Sequence, residues 1–169
     1  GSIGARVTEI AARGLGMKVY GYDPLVTNYD GPSSQVATVN ELLSLADYLT
    51  LHVPLTPETK DLINTESIGQ MKHSCRIINT ARGGVVNEAD LAQALEAGDL
   101  AGAAIDVFED EPLPANHPLF AAPNCLLTPH IAGVTTESMD RMATHSAQGI
   151  LDVLNGRRPQ YLVNLEVMS

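Results

Sequence analysis

The chain has 169 residues, room for one compact domain with a sizeable core and too few for two ordinary ones. A formal charge of −10 and a pI near 4.7 leave no basic stripe for a phosphate backbone, which argues against nucleic acid or an anionic membrane surface as a partner. Aromatics make up only 4 % and Trp is absent, so the composition favours helices packed closely on a central sheet over an all-β sandwich. No apolar run approaches the roughly 20 residues of a membrane span, and no signal-peptide pattern is visible. Cys75 and Cys125 open apolar runs, where small buried thiols are the plain reading, and with no disulfide framework a reducing, cytoplasmic setting is expected.

The chain opens Gly1-Ser2-Ile3-Gly4-Ala5-Arg6-Val7 and passes directly into a helical pattern over Ile3 to Leu15, with Val7, Ile10, Ala11 and Leu15 on one face. Gly16 is a natural stop, and Lys18-Val19-Tyr20-Gly21-Tyr22 reads as a strand ending at Asp23. A G-x-x-G pair at a helix start is the second half of the dinucleotide fingerprint G-x-G-x-x-G. An acidic residue about 20 positions beyond those glycines accepts hydrogen bonds from the adenosine ribose hydroxyls and repels a 2′-phosphate, so Asp23 argues for NAD over NADP. Taken alone, a turn-forming Asp before Pro24 explains Asp23 as well.

Thr38-Val39-Asn40-Glu41 has the spacing of a capping box and opens a short helix through Leu45, followed by a strand over Tyr48 to Val53. His52 to Thr59 is a proline-punctuated loop, Thr65 to Met71 a short helix, and Arg76-Ile77-Ile78-Asn79 a buried strand. Asn87 caps a helix over Glu88 to Ala97 that Gly98 ends, and Ala101 to Asp106 is the next strand. A proline-rich loop, Val107 to Asn124, leads to a strand at Cys125 to Thr128. Thr135 or Thr136 caps a last helix to about Leu154, terminated by Asn155-Gly156, and Tyr161-Leu162-Val163 in the tail needs something to pack against. The alternation predicts an α/β, doubly wound parallel sheet of Rossmann type.

Arg82, Glu111 and His130 each fall just beyond a predicted strand, so a cation, a carboxylate and an imidazole meet at one sheet edge if those strands are parallel neighbours. Each has a plain alternative as a loop residue; three beyond successive strand ends are harder to obtain by accident.

Three blocks then carry a family resemblance: Asn79-Thr80-Ala81-Arg82-Gly83-Gly84-Val85-Val86-Asn87, Ala104-Ile105-Asp106-Val107-Phe108-Glu109-Asp110-Glu111-Pro112, and Leu127-Thr128-Pro129-His130-Ile131-Ala132-Gly133. In this order they resemble the signature blocks of the NAD-dependent D-2-hydroxyacid dehydrogenases, the family of D-3-phosphoglycerate dehydrogenase. The resemblance implies an oxidoreductase that moves a hydride between NAD(H) and a small anionic D-2-hydroxy or 2-oxo acid. It makes His130 the acid/base, Glu111 its partner and Arg82 the anchor of the substrate carboxylate. Asp106 matches a position near the nicotinamide, and Val53, Pro54, Thr59, Thr80, Ala81 and Gly133 match positions that line the cofactor. Gly1, Ser2, Ile3 and Gly4 would offer backbone N–H groups to the pyrophosphate at a helix start. The family implies a homodimer, and residues 1–156 as an NAD-binding domain whose first strand and first fingerprint glycine are missing. Residues 157–169 then form a tail returning to a substrate-binding domain. No metal is expected, since Arg82 and His130 supply what a Lewis acid would. An NAD(H)-responsive corepressor-type module on the same scaffold is the other function class, and a formate dehydrogenase ranks low because it lacks a Glu at the position of Glu111.

Overall fold

In the computed structural model, residues 1–26 and 29–164 are described. They divide into two compact units, Gly1–His130 and Ile131–Ser169.

The first unit is parallel throughout. Strands β3 (Tyr48–Leu51), β4 (Arg76–Asn79), β5 (Gly102–Ile105) and β6 (Cys125–Leu127) form one four-stranded sheet in that order. Asn79 is level with Ile105, and Ile105 with Leu127, so the loops after β4, β5 and β6 leave from the same edge. Strands β1 (Tyr20–Gly21) and β2 (Ser34–Gln35) pair in a separate two-stranded parallel sheet. The short β2 was not anticipated, because two polar residues carry no strand periodicity.

Between the strands run α2 (Val39–Leu45), α3 (Thr65–Ile68) and α4 (Glu88–Ala97), the crossovers that parallel pairing requires. Each begins at the residue whose side chain caps it: Thr38, Asn64 and Asn87 accept from the backbone of the first turn. At α2 only half of the expected box forms. Thr38 accepts from the Glu41 N–H, whereas the Glu41 carboxylate reaches past Thr38 to the N–H of Ala37. Gly98 closes α4 at φ +78°, a conformation that a side chain would strain.

The core lies between the four-stranded sheet and these helices, with Leu43, Ile63, Ile77, Val85, Leu91 and Ile105 essentially inaccessible. Apolar positions follow one another in β4 and β5 because a parallel sheet is covered on both faces. Helix α1 (Ser2–Glu9) behaves differently: none of its residues is buried, Ile3 and Ile10 are exposed, and it widens into a π turn over Ile10–Gly14 where a continuous helix was expected. The expected strand over residues 18–22 shrinks to Tyr20–Gly21, the length over which β2 supplies a partner.

The second unit contains α5 (Thr136–Leu154), which opens on a full capping box between Thr135 and Ser138. Met139, Met142, Ile150, Leu151 and Leu154 are exposed along it, and in the tail Tyr161 lies against the His145 ring while Val163 is 94 % exposed. The packing anticipated for Tyr161-Leu162-Val163 is therefore only partial. Among the described residues no helix is long and apolar enough to cross a membrane.

Candidate active site

Asn79, the last residue of β4, is 1 % exposed and organises the turn after it. Its Oδ1 accepts from the Ala81 N–H at 3.0 Å and its Nδ2 donates to the Arg82 carbonyl at 3.0 Å. Arg82 stands exposed at that turn, its guanidinium donating to the Ala81 carbonyl at 2.6 Å and joining no ion pair among the described residues. The loop is braced from behind, since Asp61 and Ile63 donate to the carbonyls of Gly84 and Val85.

Asp106, directly after β5, is 3 % exposed, and its Oδ1 accepts from the Thr128 hydroxyl at 2.6 Å. The Asp106 carbonyl accepts from the His130 N–H at 2.8 Å. That bond helps hold His130 at φ +54°, a left-handed conformation uncommon for a residue with a side chain. Its imidazole Nδ1 then lies 2.9 Å from Glu111 Oε2. The second oxygen of Glu111 accepts from the Phe108 N–H at 2.9 Å, within the same loop. These two bonds, the histidine first, hold the Glu111 carboxyl below its ordinary range, so it is ionised at neutral pH. A carboxylate on Nδ1 fixes the proton there and leaves Nε2 as the exchanging nitrogen. The structure thus joins Glu111 to His130 directly and puts the Arg82 turn on the same sheet edge.

Also in the first unit, Gly1 and Asp23 come together, the Gly1 backbone nitrogen 3.6 Å from Asp23 Oδ2. Asp23 also forms the turn that its sequence suggested, Oδ1 accepting from the Leu25 N–H. No side chain caps α1, so the N–H groups of Ser2 and Ile3 in its first turn face no side-chain acceptor. Gly4 approaches His52 after β3, its place for a Cβ lying 3.5 Å from the His52 Cβ. Burial keeps His52 below the usual histidine value.

Among the expected cofactor-lining residues, Val53 is half-buried and Pro54 exposed, and the Thr59 hydroxyl is spent on its own loop, donating to the Pro54 carbonyl and accepting from the Thr56 N–H. Thr80 is exposed and Ala81 buried. Gly133 belongs to the second unit, where its carbonyl accepts from the Ser138 hydroxyl. Among the described residues no three of His, Cys, Asp and Glu gather as metal ligands. Sequence reasoning passed over Asn79 and Thr128, although a polar residue closing an otherwise apolar strand was the available signal.

Residues 1–132 match the D-isomer specific 2-hydroxyacid dehydrogenase, NAD binding domain. The chain belongs to that family. Relatives of this 2-hydroxyacid dehydrogenase domain include a glyoxylate reductase of Thermofilum pendens, 48 % identical over 138 residues, covering 82 % of this chain and 41 % of the relative. A D-3-phosphoglycerate dehydrogenase of Bacillus subtilis is 40 % identical over 171 residues, covering all of this chain and 32 % of the relative. A crystal structure of D-lactate dehydrogenase with NAD+ from Lactobacillus jensenii superposes with a TM-score of 0.87 at 31 % identity, covering 97 % of this chain and 53 % of that one. The chain thus spans between about a third and a half of the length of these relatives. The 2-hydroxyacid dehydrogenase domain is an NAD-binding one, and the α1 start fits that cofactor: backbone N–H groups without a side-chain cap suit a pyrophosphate, and the Asp23 carboxylate beside them suits a ribose diol.

Proposed function

We infer that the whole protein is an NAD-dependent oxidoreductase that interconverts a small D-2-hydroxy acid and its 2-oxo acid, phosphoglycerate-dehydrogenase-like in substrate class. The observation that carries this reading is the 2.9 Å pair of His130 with an ionised Glu111, on the sheet edge that also bears Arg82. NAD, when bound, would supply the acceptor and donor of the hydride. The chain's own residues do the rest. His130 takes the hydroxyl proton through Nε2 during oxidation and gives it back during reduction, a task for which an imidazole suits cellular pH. Glu111 keeps the ring in the tautomer that leaves Nε2 free and stabilises the imidazolium once it forms. Arg82 grips the carboxylate through two parallel N–H bonds and polarises the neighbouring carbonyl, which the single point charge of a lysine does less well. Ser2 and Ile3 would hold the pyrophosphate by backbone N–H groups, Asp23 would select the unphosphorylated ribose, and the buried Asp106 would stand on the nicotinamide side.

Residues 1–156 serve as the NAD-binding domain and 157–169 as a return to a substrate-binding domain. The protein acts as a homodimer, supported by the exposed apolar residues of α5, and two free thiols suit the cytoplasm. Light scattering on the full-length protein reads the dimer directly. The function is tested by following NADH with full-length protein and a panel of 2-oxo acids, glyoxylate and 3-phosphohydroxypyruvate among them. Oxidation with at least one acid is expected, and none with any acid overturns the reading.

A further inference from the structure

The loop that carries Glu111 is largely exposed between Glu109 and Asn116, yet Glu111 must meet His130 to within a hydrogen bond. Beside the close approach of Gly83 to Phe108 and the Lys60–Glu109 ion pair, the loop meets a second, largely buried acid. Glu88 opens α4, and its side chain is 11 % exposed. One of its oxygens accepts from the Glu109 N–H at 2.7 Å, and the other lies 3.0 Å from His117 Nε2. His117 is itself 17 % exposed, and its Nδ1 accepts from the N–H of Leu119. An acceptor at Nδ1 places the ring proton on Nε2, directed at Glu88. Leu119 is 1 % exposed and belongs to the core, so the far end of the loop is anchored through His117 and the near end through Glu109.

Burial pushes the Glu88 carboxyl up, opposed by the Glu109 N–H and by His117. A carboxylate in such a place is costly unless each oxygen is bonded, and here each is. Nothing in the proton-transfer scheme uses it. We propose that Glu88 is a positioning residue whose carboxylate, held between the Glu109 N–H and His117, sets the 107–117 loop so that Glu111 reaches His130. This rests on the reading of Glu111 and His130 as the proton-handling pair.

The test uses full-length protein and two readouts. In Glu88→Ala, amide exchange in a peptide spanning 107–112 accelerates about 10-fold or more while peptides from β4 and β5 keep their protection. In the same variant kcat for 2-oxo acid reduction falls about 10- to 100-fold, the range seen when the supports of site residues are removed, with little change in KM. Because Glu88 acts through Glu111, adding Glu88→Ala to Glu111→Ala lowers kcat no further. His117→Gln, which still offers an N–H to Glu88, retains more activity than His117→Ala. Should Glu88→Ala fail to fold, Glu88→Gln, which keeps the acceptor for Glu109 and loses the match to His117, takes its place with intermediate effects. Unaltered exchange at 107–112, or faster exchange with unaltered kcat, or additive loss in the double variant, overturns the proposal. If the wild-type protein turns over no 2-oxo acid, the functional reading fails, and the exchange measurement alone decides whether Glu88 holds the loop.

Discussion

Gly83 lies so close to Phe108 that a Cβ at position 83 would overlap the Phe108 carbonyl. The turn that presents Arg82 and the loop that presents Glu111 therefore meet backbone to backbone. Neither can shift without the other, because no side chain lies between them to rearrange. Gly83→Ala is expected to force the two segments apart and to destabilise the protein by about 1–3 kcal/mol, the usual cost of overpacking. A lowered urea midpoint with an unchanged slope is the expected result, and an unchanged midpoint would show that the contact yields.

Glu111 gives a pH dependence with a definite sign. Its folded carboxyl is held down, by His130 first and the Phe108 N–H second, so the unfolded chain takes up a proton earlier as pH falls. The stabilisation is present above the unfolded value of about 4.3 and is lost as pH drops through the lower folded value. Glu111→Gln removes this contribution. The urea midpoints of wild type and variant, apart at pH 7, should converge as the pH falls through the lowered folded value; a gap that stays constant with pH would exclude Glu111 as the titrating group.

Much of this was legible in the sequence, and the exceptions have physical causes. Strand β4, the α4 helix with its Asn87 cap and Gly98 stop, and the approximate place of β5 and β6 follow from apolar runs bounded by strong turn and cap residues. The Glu111–His130 bond is not a local pattern, since it depends on two loops brought together by the register of β5 and β6. Asn79 and Thr128 carry a signal as polar residues closing apolar strands, but their partners, the turn at Ala81 and Arg82 for one and the Asp106 carboxylate for the other, are not set by spacing. The helical span at the start, Ser2–Gly14, lies within a residue of the expected one, but the apolar pattern carries no sign that its second half winds as a π-helix or that Ile3, Ile10 and Leu15 are exposed.

Both thiols should be poor nucleophiles in the native state. Burial raises the Cys125 thiol to about 11 and pushes Cys75 up as well. The thiolate is the reactive form, so at pH 8 neither should be carbamidomethylated by iodoacetamide until the protein is unfolded. Intact mass after brief labelling with and without urea reads this directly, and rapid native labelling of either cysteine would contradict the burial seen here.

Asp23 should control the choice of dinucleotide. With one carboxylate oxygen close to the start of α1, its loss would, on the proposed reading, remove charge-assisted bonds to the ribose and the repulsion of a 2′-phosphate. Asp23→Ala is expected to weaken NADH binding about 10- to 100-fold and to narrow the gap to NADPH. Fluorescence titration of both cofactors measures the ratio. A variant with the wild-type preference would leave Asp23 as the turn-former that its bond to the Leu25 N–H also makes it.

Arg82 and His130 should fail in different ways. Arg82 stands at a turn built by Asn79, its guanidinium exposed and joining no ion pair among the described residues, so truncation leaves no stranded internal partner charge. Arg82→Lys keeps the charge and loses the fork, and should raise KM for the 2-oxo acid while also lowering kcat through weaker carbonyl polarisation. On the proposed scheme His130→Ala removes the proton donor, and kcat for reduction should fall about 10²- to 10⁴-fold with NADH affinity nearly unchanged. Arg82→Lys and His130→Ala measured side by side in full-length protein separate anchoring from proton transfer. Equal kcat/KM in wild type and His130→Ala would remove the histidine from the chemistry and, with it, the meaning given to its bond with Glu111.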